Sequence, residues 1–86
     1  MKVIILFESI NETLKIEDAL DGIGMEFRSV VKPRALGSDC GVAIRIDRDK
    51  IPNVSRISRE QNCHIVGIFE KKDNQWINVH YLDEDA

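Results

Sequence analysis

The run Val3-Ile4-Ile5-Leu6-Phe7 constrains this chain more than any other stretch. It is too short to be a helix and rich in β-branched residues, so it reads as a strand. Successive side chains of a strand point to opposite faces, so this one is apolar on both. Such a strand belongs in the middle of a sheet that is covered on both sides. Whatever the rest of the chain does, it must supply that cover.

The flanking segments alternate between helical and strand patterns. Ser9-Ile10-Asn11-Glu12 has the form of a capping box and opens a helix. Ile16, Ala19, Leu20 and Ile23 fall on one helical face, and Gly22 and Gly24 offer a left-handed stop. Met25 to Val31 alternates as a second strand, and Val42 to Asp47 as a third. Asp49 is placed to cap a second helix, with Pro52 in its first turn and Ile51, Val54 and Ile57 on its apolar face. That helix ends near Asn62. Cys63 to Phe69 reads as a fourth strand, residues 71–74 as a turn, and Trp76 to Leu82 as a fifth strand.

The order β-α-β-β-α-β with one strand added predicts an α+β fold. The expected form is the ferredoxin-like split βαβ, an antiparallel sheet of order 4-1-3-2 with helices on one side. The C-terminal strand then pairs beside the fourth. The helix-free face of the first strand still needs cover, and a homodimer is the expected source.

One domain over residues 1–82 and an acidic tail at 83–86 account for the chain. The net charge of −3 equals the contribution of Asp83, Glu84 and Asp85, so the remainder balances. Bulk charge therefore predicts no nucleic-acid partner and no membrane partner. The apolar start is too short for a signal peptide or a span, and two cysteines are too few for a disulfide framework. The expected location is cytoplasmic. Cys63 and His64 are adjacent in a strand and point apart, and no C-x-x-C pair occurs, so no metal site is expected. No glycine-rich phosphate motif opens a helix, so no cofactor is expected.

The one stretch with a chemical character is the loop Pro33-Arg34-Ala35-Leu36-Gly37-Ser38-Asp39-Cys40-Gly41. In a split βαβ sheet this loop shares one end of the molecule with the start of the first helix and with Cys63. A helix N-terminus carries roughly half a positive charge. That charge, with Lys32 and Arg34, favours a thiolate at Cys40, while Asp39 opposes it. Gly41 allows close approach to the sulfur or serves the turn. The plainer reading makes Cys40 a small packed hydrophobe.

Pro33-Arg34, then Ser38-Asp39-Cys40-Gly41, then Ala43-Ile44-Arg45 resemble the selenium or sulfur carrier-like family. The start is similar as well: an apolar strand, Ser9, a helix ending at a glycine, then Phe27-Arg28. The resemblance covers roughly residues 1–70, and Gly37 stands where a small hydroxyl residue is expected. It implies a carrier and not a turnover enzyme. Cys40 would hold a sulfur or selenium atom as a persulfide or selenopersulfide, taken from a donor protein and passed to an acceptor. Arg34, Ser38, Asp39 and Gly41 would support it, and Cys63 would serve as a resolving thiol. The rival reading is a ligand-binding or regulatory dimerisation module with a structural cysteine.

Overall fold

The computed structural model describes residues 1–37 and 41–79. Five strands form one antiparallel sheet: β1 (Lys2–Phe7), β2 (Arg28–Val31), β3 (Val42–Asp47), β4 (Ile65–Lys72) and β5 (Gln75–Asn78). Two helices, α1 (Ile10–Gly22) and α2 (Ile51–Glu60), complete the α+β fold. The strand order is β2-β3-β1-β4-β5, which places β1 at the centre. Among the described residues, no helix is long and apolar enough to cross a membrane.

Strand β1 distributes its apolar run over both faces. Val3, Ile5 and Phe7 join Ile16 and Leu20 of α1, and Ile51, Val54 and Ile57 of α2, in the main core. Ile5, Ile16, Leu20 and Val54 are fully buried. Each such side chain contributes about 1.5–3 kcal/mol through removal from water. Ile4 and Leu6 face the other way and pack with Ala43 in a second, smaller cluster. Val30, Leu36, Phe69 and Trp76 pack against that cluster, so Ile4 and Leu6 are each only 7 % exposed within one chain. Much of the cover expected from a second copy thus comes from the chain's own loop and last hairpin.

Local signals explain most element ends. Ser9 caps α1, its Oγ accepting from the Glu12 N–H at 3.2 Å. The other half of the expected capping box is diverted, because the Glu12 carboxylate accepts from the backbone of His64. Helix α1 closes with Gly24 at φ 72°, the Met25 N–H donating to Leu20 and the Gly24 N–H to Asp21. This is the Schellman arrangement that glycine permits. Ile23, expected on the buried face, is 62 % exposed because it sits where the helix stops.

Some boundaries differ from the sequence pattern. The second strand starts only at Arg28, three residues after Met25. Asp49 does not cap α2; it lies in a 3-10 turn, Arg48–Lys50, and Lys50 precedes the helix without a side-chain cap. Strand β4 runs through Lys72, so the turn shrinks to Asp73-Asn74, both at positive φ. That backbone matches the twist of a two-residue hairpin. Strand β5 spans Gln75–Asn78, and the expected extension through Tyr81 and Leu82 falls outside the described residues.

Gly67 lies beneath the Phe69 ring on the helix-free face. A Cβ there would come within 2.6 Å of the ring. Gly67→Ala is therefore expected to displace Phe69 and lower stability by about 1–3 kcal/mol, as overpacking does. Urea unfolding measures the loss, and emission of Trp76, the single tryptophan, reports the shift in its neighbour.

Candidate functional site

The loop between β2 and β3 is closed at its base by the Lys32 N–H, which donates to the Gly41 carbonyl at 2.9 Å. A 3-10 turn, Arg34–Leu36, shapes the outgoing arm, with the Leu36 and Gly37 N–H groups donating to Pro33 and Arg34. Leu36 anchors that arm on the helix-free cluster. Gly37 has φ 144°, and a Cβ there would meet the Lys32 ammonium at 2.8 Å. At Gly41 a Cβ would lie 3.5 Å from the Lys32 stem, an ordinary contact. The Lys32 side chain thus runs from Gly41 to Gly37 and presents its charge beside Gly37. Arg34 is exposed and forms no ion pair among the described residues. Ser38, Asp39 and Cys40 lie outside the described residues.

The loop base shares a cavity of about 380 Å3 with the start of α1. Phe7, Glu8, Ser9 and Thr13 line it from the β1–α1 junction, Lys32, Leu36 and Gly41 from the loop, and Val66 and Phe69 from β4. The free N–H groups of the first turn of α1, with their partial positive charge, open on the same end. Strand pairing alone brings these segments together, since they are far apart in the sequence.

Cys63 is close by but chemically different. It is buried, with Sγ 3.6 Å from the Gln61 carbonyl and 3.9 Å from that of Glu12. Burial first, and the Glu12 carboxylate second, push its thiol up from the ordinary cysteine value. At neutral pH it is a protonated, packed thiol, which sets it against a ready role in disulfide exchange.

Beside it, His64 meets two carboxylates that the sequence analysis did not bring together. His64 Nδ1 lies 3.3 Å from Glu12 Oε2 and 3.6 Å from Glu8 Oε2. The His64 N–H donates to Glu12 Oε1 at 2.6 Å, and the Glu8 N–H donates to the His64 carbonyl at 3.0 Å. The backbone hydrogen bond from His64 is the main reason the Glu12 carboxyl sits below the usual value. One ligand atom from each of Glu8, Glu12 and His64 falls within 4.8 Å of the others, so the three could hold a cation. A surface ion pair with protonated His64 accounts for the same geometry. The expectation of no metal site weighed only the neighbours of His64 in sequence, and these partners come from the β1–α1 junction.

Residues 2–70 match the family described as "Putative Se/S carrier protein-like". The chain belongs to that family. The match includes the whole 33–41 loop, so Cys40 lies inside the family region, and it stops before the end of β4. Only Lys71, Lys72 and β5 among the described strand residues lie beyond the matched region. No curated protein and no solved structure matches the chain.

Two outcomes follow from the two titrating groups. Glu12 has a depressed folded-state value, so its contribution is present above the ordinary glutamate pKa of about 4.3 and lost as pH falls through the folded value. Glu12→Gln is expected to flatten the stability profile between about pH 3 and about pH 6, measured by urea unfolding. Cys63 has a raised value, so the wild type loses stability as pH rises past about 8.5, where only the unfolded thiol ionises. Cys63→Ala is expected to remove that alkaline loss.

Proposed function

We propose that this protein is a chalcogen carrier with Cys40 as the carrying thiol. The single observation that carries this reading is the family match that runs through the cysteine loop. The fold is taken to be ferredoxin-like; read from the β5 edge, its strand order is 5-4-1-3-2. The end of the molecule that holds the loop base is suited to an anionic sulfur. It has the start of α1, the Lys32 ammonium beside Gly37, and the exposed Arg34.

The reaction is a transfer between thiols. The Cys40 thiolate attacks the terminal sulfur or selenium of a donor protein's persulfide or selenopersulfide. A new bond forms to Cys40, the bond to the donor sulfur breaks, and the donor leaves as a thiolate. The terminal atom keeps its proton or charge, so no outside oxidant is needed. Attack by an acceptor thiolate on the carried atom returns Cys40 to its starting state. Lys32 and Arg34 stabilise the anionic forms on both sides of each step. Cys63, protonated and packed, stays outside the transfer and serves the core.

Intact-mass spectrometry of protein purified without reductant tests this reading. The expected result is an added mass of about 32 Da or about 79 Da that Cys40→Ser abolishes, one sulfur or selenium atom held on the thiol. Labelling with a thiol reagent should show one group with an apparent pKa below about 8.5, raised by Lys32→Met. A Cys40 as unreactive as Cys63 in the folded protein would overturn the proposal.

A further inference from the structure

The charges of this chain nearly cancel in the sequence, but the sheet sorts them. Register and alternation place Lys2, Arg28, Arg45 and Lys71 on the helix-free face with Ile4 and Leu6. Asp47 lies on the same face, and Lys2 holds it at 3.1 Å. Arg28 stands directly opposite Arg45, and Arg45 opposite Ile4. Like charges facing one another across strands cost stability. Neither guanidinium has an ion-pair partner among the described residues, although Glu26 lines the same cleft.

An apolar strip lies beside these arginines on the same face. Phe69 and Trp76 are half-buried over Ile4 and Leu6, and Leu36 borders them across a surface cleft. Among the described residues, the face thus combines two arginines without an ion-pair partner with aromatic and aliphatic side chains, and no helix covers it. We infer that it docks an acidic protein segment with apolar anchors, its carboxylates on Arg28 and Arg45 and its anchors on the Phe69–Trp76 strip. The charge complement decides the occupant: an acidic segment relieves the arginine pair, which a second copy presenting the same cationic face does not. Single-stranded nucleic acid needs open ring faces to stack on. Here the Lys71 ammonium lies 5.7 Å over the Trp76 ring, and the Phe69 ring packs down on Gly67. The inference stands apart from the carrier reading, because it uses no thiol.

The test is fluorescence anisotropy with a labelled peptide, Glu-Glu-Leu-Asp-Trp-Leu-Glu-Glu, against the full chain. Binding should weaken with salt and fall on the order of tenfold in Arg45→Glu and in Arg28→Glu, as for a paired rim charge that is reversed. Cys40→Ser should bind as the wild type does, which separates this result from the carrier test. Arg28→Gln should raise the melting temperature slightly by removing the repulsion, and it guards against reading misfolding as lost affinity. Equal binding by a peptide with the same charges and no apolar residues would overturn the docking strip. Binding of an oligouridine in place of the peptide, no binding at all, or a dimer in sedimentation that Arg45→Glu dissolves would each overturn the inference.

Discussion

A strand that is apolar on both sides dictates the architecture. β1 sits at the middle of the sheet because its register satisfies β3 on one edge and β4 on the other. Its odd residues join the two helices in the main core, and its even residues need cover on the opposite face. The chain meets that second need with an anchored loop, through Leu36, and with the β4–β5 hairpin, through Phe69 and Trp76. The cysteine loop is therefore tied to the sheet by packing, since one of its arms is part of the cover. Gly67 belongs to the same solution, because only a residue without a side chain lets the Phe69 ring lie flat there.

Charged groups on the two faces meet different fates. Glu70 points toward the helix side and is buried, with one oxygen paired to Arg48 and the other, Oε2, without a hydrogen-bond partner among the described residues. A carboxylate in that position depends on its single guanidinium, since an uncompensated buried charge costs several kcal/mol, about 3–5. On the helix-free face Arg28 and Arg45 have no ion-pair partner among the described residues, and water screens part of their mutual repulsion. The same sheet thus holds a buried carboxylate paired to Arg48 on one side and two facing arginines on the other.

The character of Cys63 is set by its neighbours for the same kind of reason. Cys63 has apolar surroundings and the Glu12 carboxylate, both of which disfavour a thiolate. The loop base has Lys32 and the start of α1 around it, which favour an anion, and Glu8 on the same cavity, which opposes one. The family match runs through the 33–41 loop as well as through Cys63.

The amino-acid sequence by itself determined the number and order of the elements, the central place of residues 3–7, the Ser9 cap, the glycine stop and the apolar faces of both helices. Those follow from periodicity and from local hydrogen bonding, which act over a few residues. Asp49 and the four-residue turn were misread because backbone geometry overrode the side-chain signals, a 3-10 turn in one case and two left-handed asparagine and aspartate positions in the other. Only the tertiary structure decided that Glu12 serves His64 in place of its own helix end, that Lys32 runs from Gly41 to Gly37, and that four cations share one face. The physical reason is strand pairing: it sets residues far apart in sequence side by side, and neither periodicity nor composition encodes which neighbour each side chain will meet.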